Sequence, residues 1–521
     1  YFDFDVANPI ATAAKANYAK IASTNPALPP ASQFSVNGGL RFADEDGSGR
    51  NLYTSQKLLF LPRIGFAYQP EQNTVVRGGF GLFADSVQLF ILSGGNSGST
   101  NNATLTPQQG YSATTSINGS GDNGLTFAST LENPFPTGFT PPTGSSLGLQ
   151  TFLGQSITFQ PRNPQIPYNM RWSFGVQHQF GSWLAALDYV GNHGVHVPVQ
   201  RDFNAVPLQY LSTVNNGYDK PTFDRLNGNV NNPFSGIIPS TATLGSSKTT
   251  VAQLLRPYPE FTNVTAYLNN GMSIYHGLQA QLNRRFQSGL SLTTAFTWSR
   301  TLDASQYLNT SDTHLWYGIS QLDRTFRFAT SFLYELPFGR GRRFANDSPI
   351  VSAIAGGWQV QGVYQVQSGQ PLNFNPGSTS PIYNGANPVD SAWGRSGYKK
   401  SIAKPGVAGF WFDRTNWLQT TSGCASGVCT NVLPNQYQIR TFPIRFTGLR
   451  ADFLNQFDLG VQRNFPLWRE SQLQIRVEAI NALNHPVYTA PNTDWTSSSF
   501  GQITTQANQP RVYQFGAFIR F

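Results

Sequence analysis

Apolar and polar side chains alternate with a period of two along much of this chain, which is the pattern of half-buried β-strands. In the clearest segment, Tyr168–Phe180, every even position except His178 is apolar, and the odd positions are polar residues or glycine. A Gly181-Ser182 turn follows, and the apolar positions resume at Trp183. This pattern predicts a hairpin with one apolar face and aromatic side chains beside its turn, where a bilayer interface favours them.

The same alternation recurs along the chain, and about 12 strands are predicted, with boundaries good to about two to four residues. The first three predicted strands are Phe34–Phe42, Lys57–Gln69 and Thr74–Ala84. Later segments with this pattern include Leu290–Trp298, Arg324–Leu336, Trp358–Val366, Gln456–Phe465, Gln472–Asn481 and Arg511–Phe521. The chain is therefore predicted to be all-β.

The lengths of the predicted connections alternate between short and long without exception. Short turns fall at Gln69–Asn73, Gly181–Ser182, Gln287–Gly289 and Pro466–Ser471, and Leu336–Gly357 is somewhat longer. The long loops lie near residues 87–165, 198–262, 300–323, 369–454 and 482–510. In an antiparallel sheet all long loops then share one side, as in outer-membrane β-barrels with short periplasmic turns and long extracellular loops.

Composition supports a membrane barrel over a soluble sandwich or a helical membrane protein. Charged residues make up 12% of the 521 residues, and phenylalanine (39) and tyrosine (21) are abundant. A membrane-spanning helix needs about 18 or more consecutive apolar residues. The longest candidates, near Leu58–Leu61 and Ile350–Ala355, are far shorter. Helical spans are therefore excluded, whereas alternating strands that face lipid on one side remain.

The net charge of +9 bears on the partners of the chain. A nucleic-acid-binding protein clusters its basic residues on one face or helix. Here lysine and arginine are scattered, with small groups only at Arg340–Arg343 and Lys399–Lys400. A basic surface near anionic outer-membrane lipid or lipopolysaccharide is favoured, and no nucleic-acid partner is expected.

Few residues suggest a metal or catalytic site, and neither a cofactor nor an enzymatic activity is expected. Cys424 and Cys429 have no second Cys pair or His nearby, so a small disulfide is favoured over zinc, with two free thiols as the alternative. His193 and His196 are three residues apart, which puts them on opposite faces of a strand. Charges at strand ends and toward the lumen explain Asp303, Asp323, Arg324, Arg327 and Glu335 better than acid–base chemistry does.

The exposed aromatic residues of the long loops are the best candidates for ligand contact, because aromatic and polar mixtures bind sugars, peptides and flat chelates alike. Packing of one loop against another is the competing explanation for them. These residues are Tyr258, Tyr267, Trp316, Tyr317, Trp393, Trp411 and Trp417.

Several stretches, taken in their order along residues 57–521, resemble the C-terminal barrel half of large TonB-dependent receptors. The similar family is the Oar-like type, which carries a carboxypeptidase-regulatory-like domain and is common in Acidobacteria. The stretches are Leu-Pro-Arg-Ile-Gly-Phe-Ala-Tyr (61–68), Val-Val-Arg-Gly-Gly-Phe-Gly-Leu-Phe (75–83), Leu-Asp-Tyr-Val-Gly-Asn-His-Gly-Val-His (187–196), Tyr-His-Gly-Leu-Gln-Ala-Gln-Leu-Asn-Arg-Arg-Phe (275–286), Thr-Trp-Ser-Arg-Thr-Leu-Asp (297–303), Glu-Leu-Pro-Phe-Gly-Arg-Gly (335–341) and Glu-Ala-Ile-Asn-Ala-Leu-Asn-His-Pro (478–486).

The resemblance implies a barrel of about 22 strands whose lumen is closed by an N-terminal plug. No plug or TonB box is recognisable, so residues 1–521 are expected to be the C-terminal part of such a barrel, with about 10 strands missing. TonB would act through the missing N-terminal region. The last strand, with Tyr513, Phe515, Ile519 and Phe521 in phase, resembles the signal that the barrel-assembly machinery reads; an ordinary strand with an aromatic end is the alternative.

The resulting expectation is an outer-membrane receptor that binds an unknown ligand with its extracellular loops and passes it through the lumen. Two other functions remain open. A chain that closes alone as a smaller barrel would be a passive porin, and a surface adhesion protein would use the same loops to bind partners without transport.

Overall fold

The computed structural model describes residues 1–45, 58–85, 145–214, 219–374 apart from 340 and 345–348, 443–494 apart from 469, and 501–521, with shorter stretches between them. Eleven long antiparallel strands form its main sheet, and each neighbours the next along the chain. They are β1 (Arg63–Glu71), β2 (Thr74–Ala84), β3 (Tyr168–Phe180), β4 (Trp183–Asp202), β5 (Val264–Gln287), β6 (Leu290–Gln306), β7 (Phe326–Glu335), β8 (Trp358–Gln367), β9 (Leu454–Pro466), β10 (Gln472–Ile480) and β11 (Val512–Arg520).

Short and long connections alternate along this sheet, as the sequence predicts. Going along the chain, each short connection joins an odd-numbered strand to the next even-numbered one, and each long connection follows an even-numbered strand. Because neighbouring strands are antiparallel, the short connections and the long ones lie at opposite ends of the sheet. We call these the short-turn end and the long-loop end.

Two short strands extend the sheet at the long-loop end. Ile157–Phe159 runs parallel to the start of β5, and Trp316–Ile319 is antiparallel to the end of β6. Other strand pairs lie outside the sheet: Phe2–Ala7 with Asn37–Leu40, Asn229–Asn231 with Lys248–Thr250, Pro371–Asn373 with Arg445–Arg450, Ser380–Pro381 with Pro434–Asn435, Cys424–Ala425 with Val428–Cys429, and Ser112–Ala113 with Phe139–Thr140.

The helices of the described segments are short and lie in the connections or near the N-terminus. They are α1 (Ala11–Ala22), α2 (Lys220–Asn227), α3 (Val251–Leu254) and α4 (Pro349–Ala355), with 3-10 turns at Ala31–Gln33, Gly148–Gln150 and Leu208–Tyr210. Among the residues that the structure describes, no helix is both long enough and apolar enough to cross a membrane.

The tight turn between β5 and β6 shows how local sequence fixes the strand register. Ser288 and Gly289 both have positive φ, 53° and 82°. Two successive residues with positive φ form the hairpin turn whose twist matches that of the flanking strands. Gln287 therefore pairs with Leu290 across the turn, and the long ladder of β5 and β6 continues from there.

The register divides the sheet into an apolar face and a polar face. Phe174 of β3 pairs with Tyr189 of β4, and Phe332 of β7 pairs with Gly362 of β8, all on the apolar face. The intervening positions carry glutamine, serine, threonine and charged residues, such as Gln361 opposite Gly460. This division is the one that the alternation predicts, and it suits a wall with lipid on one side and water on the other.

The main apolar core of the described residues lies outside the sheet, at the long-loop end. The N-terminal segment packs there against residues 145–160 and 203–262 in one hydrophobic cluster. Tyr18 of α1 stacks on Phe34 with ring centroids 3.8 Å apart. We call this cluster the cap; because it has its own buried core, these long connections are packed structure.

The predicted barrel strand Phe34–Phe42 is wrong. Residues Asn37–Leu40 do form a strand, but it pairs with Phe2–Ala7, and Phe34 and Val36 are buried in the cap. Within the described residues the main path has eleven strands, where about 12 are predicted, and the two short strands bring the sheet to 13. Alternation reports that one face of a segment is buried, and it does not report which surface covers that face.

Some predicted boundaries also move. The strand expected at Lys57–Gln69 is Arg63–Glu71, and β4 and β6 extend to Asp202 and Gln306, into regions predicted to be loops. Strands that continue beyond the apolar band carry mixed side chains there, so alternation no longer marks them.

The two faces can be compared with a matched pair of substitutions in the middle of β7. Thr330 lies on the apolar face, opposite Tyr364, and Ser331 lies on the polar face, opposite Val363. Arginine at a lipid-facing position near the bilayer midplane costs about 2–4 kcal/mol. We expect Thr330→Arg to lower the free energy of unfolding in lipid vesicles by that amount and Ser331→Arg to lower it far less. Guanidinium titration in vesicles measures both, and equal losses would contradict the assignment of faces.

Candidate functional site

A hydrogen-bonded row of side chains crosses five strands on the polar face, near the short-turn end. Gln359 of β8 donates to Glu335 of β7 at 3.0 Å and accepts from Gln462 of β9 at 2.8 Å. Gln474 of β10 approaches Gln462 at 3.5 Å and accepts from Arg520 of β11 at 3.3 Å. Amides both donate and accept, so such a row offers paired but exchangeable hydrogen bonds to a polar solute that moves along it.

Higher on the same face is an open hollow of about 480 Å³. Its polar lining comes from Ser291, Ser331, Gln361, Asp458 and Glu478, on β6 to β10. The polar face is therefore a concave surface with hydrogen-bonding groups of both kinds, as required of the wall of an aqueous path.

At the long-loop end, two buried ion pairs fasten one long connection to the sheet. Arg445 donates to Asp303 of β6 at 3.0 Å and to the Ile319 carbonyl at 2.8 Å. Arg450 donates to Asp323 at 2.6 Å, and the second oxygen of Asp323 accepts from the Thr301 amide at 2.7 Å. We call these two pairs the arginine latch. The latch gives both carboxylates structural partners: Asp303 lies within β6, and Asp323 lies in the turn before β7.

Among the described residues, the predicted ligand-contact aromatics lie in separate parts of the structure. Tyr267 lies within β5, so its predicted place in a loop is wrong. Trp316 and Tyr317 lie in the short strand beside β6, where the Trp316 ring packs under the Arg445 guanidinium at 5.3 Å and Tyr317 stays exposed. Trp393 and Trp417 lie outside the described residues.

Trp411 and Tyr258 are packing residues in the structure. Trp411 is only 1% exposed, so the expectation of an exposed side chain is wrong for it. Its indole nitrogen donates to the Arg450 carbonyl at 2.6 Å, which ties it to the arginine latch. Tyr258 packs edge-on against Phe2 at 5.2 Å in the cap, and burial, with the Asp5 and Glu260 carboxyls, raises the pKa of its phenol to about 12.

The remaining predicted site residues have clear positions. Cys424 and Cys429 are directly opposite each other in a two-stranded hairpin. The pairing does not test the disulfide, which stays a prediction. Tyr513, Phe515 and Ile519 share the exposed apolar face of β11, in phase with Phe521. The assembly signal proposed for these four residues also stays a prediction.

The two histidines of the Gly-Asn-His-Gly-Val-His stretch are separated in space. His193 pairs with Met170 and Ile274 on the apolar face of β4. His196 has a positive φ of 59° and its ring contacts the Ile166 carbonyl at 3.1 Å. Within the described ranges no group of three or more potential metal-ligating side chains comes together.

Sequence reasoning missed Glu260, a carboxyl buried in the cap. Its side chain is fully buried, and neither carboxyl oxygen has a hydrogen-bond partner. Burial raises the pKa of Glu260 well above its ordinary value. A glutamate between proline and phenylalanine in a long loop carries no sequence signal for burial, because the covering residues come from distant segments.

The arginine latch was missed for a similar reason. The sequence pattern places Asp303 and Asp323 at strand ends. It places Arg445 and Arg450 in a long predicted loop, 369–454, far from either carboxylate. The two arginines are five residues apart in a segment with apolar residues between them, which is the one local signal that could have indicated a strand with anchored ends.

The arginine latch leads to a stability prediction. Removing one partner of a buried ion pair costs about 3–5 kcal/mol, because the other charge stays buried. Asp323→Asn should therefore speed the exchange of the Thr301 and Ala451 amides by about two to four orders of magnitude. The matched control is Asp44→Asn, whose pair with Arg50 is 3.9 Å long and largely exposed and is worth under about 1 kcal/mol. Hydrogen exchange by mass spectrometry measures both, and unchanged exchange in Asp323→Asn would refute the latch.

Glu260 leads to a pH prediction. Burial raises its pKa in the folded cap, so the folded cap favours the protonated carboxyl, and cap stability falls as pH rises above the unfolded value of about 4.3. Glu260→Gln removes this loss of stability. At about pH 4.3 the cap amides of the variant should exchange at the same rate as those of the natural protein, and at neutral pH they should exchange more slowly. Exchange of the Gly154 amide, which donates to the Glu260 carbonyl, measures it. If the ratio of the Gly154 exchange rate in the natural protein to that in Glu260→Gln does not change with pH, the prediction is contradicted.

Comparison with known proteins places this geometry in a family. Residues 4–514 match the outer membrane beta barrel domain. No curated protein matches the chain.

Solved structures are similar at low identity. They include the outer membrane transporter YddB from Escherichia coli (8% identity, TM-score 0.36, covering 86% of this chain and 38% of that one) and the siderophore receptor PirA from Acinetobacter baumannii (11%, 0.36, 88% and 40%). The FrpB iron transporter from Neisseria meningitidis is a third (10%, 0.35, 88% and 39%). This chain thus spans about two fifths of the length of each of these structures. With residues 4–514 matched, the chain is an outer-membrane protein that belongs to the outer membrane beta barrel domain family.

Proposed function

We propose that the chain is the wall of an outer-membrane transport receptor, specifically the C-terminal part of a TonB-dependent barrel of Oar-like type. Ligand binds first at the long-loop end and then moves along the polar face toward the short-turn end. The observation that carries this proposal is the pairing of a polar, glutamine-lined face with a packed cap at one end of the same sheet. A wall that only spanned the membrane would need no folded cap.

The open edges of the sheet support a larger barrel. In the path of the main sheet, β1 and β11 each pair along one edge. An unpaired edge in lipid leaves backbone groups without a hydrogen-bond partner, which costs several kcal/mol for each group. Further strands that close the barrel remove this cost, and a plug and a TonB-binding segment would belong to the same larger assembly.

Within this proposal the capture surface includes Tyr317, the exposed aromatic beside the arginine latch, together with Trp393 and Trp417. An aromatic ring at the centre of a binding surface commonly contributes more than about 1 kcal/mol. The arginine latch holds the Trp316–Ile319 strand through the Ile319 carbonyl, so Tyr317 has a fixed position. Transport is proposed instead of catalysis, because the polar face offers exchangeable hydrogen bonds at its short-turn end and further polar side chains in the hollow next to them.

Two other functions predict different behaviour. A passive porin conducts ions and small sugars without ligand, energy or TonB. An adhesion protein binds through the cap and moves nothing across the membrane.

The deciding experiment is uptake into cells that carry the full chain within its complete gene. The first probe is a radiolabelled ferric siderophore, the cargo class named for PirA. Transport should require TonB and stop when an uncoupler collapses the proton gradient. Uptake that is insensitive to both would favour a porin, and surface binding without uptake, across a panel of ferric chelates, sugars and peptides, would favour adhesion.

The capture surface is tested with a matched pair in the same connection. Tyr317→Ala should weaken binding of a transported probe to whole cells by about tenfold, since it removes a central aromatic contact. Leu322→Ala changes a residue that is even more exposed but lies beyond the strand, and it should leave binding unchanged. Equal affinities of the two variants would remove Tyr317 from the capture surface.

A further inference from the structure

The connection between β7 and β8, residues 336–357, differs from the other short connections because it carries a helix with exposed apolar side chains. Ile350, Val351 and Ile354 of α4 are 73%, 47% and 69% exposed. Residues four apart on a helix share one face, so Ile350 and Ile354 form an apolar row. A row of this kind facing water is unfavourable, and it indicates that something apolar covers α4 in the membrane.

The end of α4 is held on the apolar face of the sheet. The Trp358 indole donates to the Ile354 carbonyl at 2.9 Å, and the Arg463 guanidinium donates to the carbonyls of Ile354, at 2.7 Å, and of Ala353. Trp358 and Arg463 are paired across β8 and β9, in register with Val360 and Val461 of the apolar face. The two donors satisfy the last carbonyls of α4 and place the helix on the lipid side of the sheet, at its short-turn end.

Two close contacts hold described residues of the same connection together. Gly339 and Gly356 approach so closely that a Cβ added to Gly339 would lie 2.9 Å from the Gly356 Cα. Phe338 and Phe344 pack with ring centroids 5.7 Å apart. The helix therefore has a fixed position, and its exposed row belongs to a built surface.

Basic and aromatic groups lie in the same connection and in the next short turn. The Arg343 guanidinium is 5.3 Å from the Phe344 ring centroid, and its residue is exposed. Arg342 lies beside it and pairs with Glu335 at 2.8 Å. Trp468, in the next short turn, is also exposed. Tryptophan and phenylalanine beside arginine are typical of the boundary between acyl chains and headgroups.

We propose that α4, Arg343 and Trp358 form an interfacial anchor, in which α4 inserts Ile350, Val351 and Ile354 among the acyl chains of the periplasmic leaflet and Arg343 binds an anionic phospholipid headgroup. The apolar face of the sheet meets lipid already, and the anchor is continuous with it through Trp358 and Arg463. Positive charge above an apolar row is the complement of an anionic phospholipid surface. The anchor fixes the height of β7 and β8 in the bilayer.

The anchor is tested by a spin label at Ile354→Cys, in a full chain whose Cys424 and Cys429 are changed to serine. The protein is folded into vesicles of phosphatidylethanolamine and phosphatidylglycerol, and the label's collisions with oxygen and with a water-soluble nickel chelate are measured. We expect high oxygen and low nickel accessibility, equivalent to a depth of about 5–10 Å. The matched control is Glu470→Cys, an exposed position in the next short turn, which should report water.

The outcomes distinguish lipid, water and protein as the surroundings of α4. Nickel accessibility at Ile354→Cys equal to that at Glu470→Cys would overturn the anchor. Low accessibility to both reagents would mean that protein, such as a second copy, covers α4, and would overturn it as well.

The charge is tested in the Ile354→Cys background. Arg343→Gln should reduce the inserted population of the label by about fivefold in the anionic vesicles. Arg50→Gln, which removes an exposed arginine far along the chain, should not change it. No effect of Arg343→Gln would overturn the headgroup contact. These readouts need no ligand and no TonB, so they stand or fall separately from the proposed transport.

Discussion

Inside a bilayer no water is available to bond the peptide groups, so a chain that crosses as strands must pair them with neighbouring strands. That constraint explains the regular part of this protein: eleven antiparallel strands in chain order, joined alternately by short and long connections. It also explains why the sheet itself has little buried core. Its apolar side chains face lipid, and they therefore remain exposed in the isolated chain, as at Phe515 and Ile519.

Outside the bilayer the constraint changes, and the chain behaves as a water-soluble protein. The cap buries a conventional core, with α1, the Phe2–Ala7 strand and the 203–262 connection packed together. The arginine latch and Trp411 hold a second long connection against β6 and the β6–β7 connection. These contacts turn long connections into a defined surface above the polar face, which is what ligand capture requires. Ion pairs and buried side chains hold the long connections in place, whereas backbone hydrogen bonds between strands hold the main sheet together.

At the short-turn end, the connection that contains α4 makes contacts on both the apolar and the polar face of the sheet. Trp358 and Arg463 face the apolar side and bond the end of the helix, while Glu335 and Gln359 on the other face begin the row of polar side chains. One connection thus links a lipid-facing surface to a water-facing one within a few residues.

The sequence by itself determined the all-β class, the alternation of faces and the sidedness of the connections, because side-chain period and connection length are local properties that each strand carries. It also argued against a metal site at the histidine pair, since strand geometry separates residues three apart. Only the tertiary structure decided which covering surface buries each face. Phe34–Phe42 alternates like a barrel strand yet packs in the cap, Trp411 and Glu260 are covered by distant segments, and Arg445 and Arg450 find carboxylates more than a hundred residues away. Burial depends on partners that are remote along the chain, so no local pattern could have indicated it.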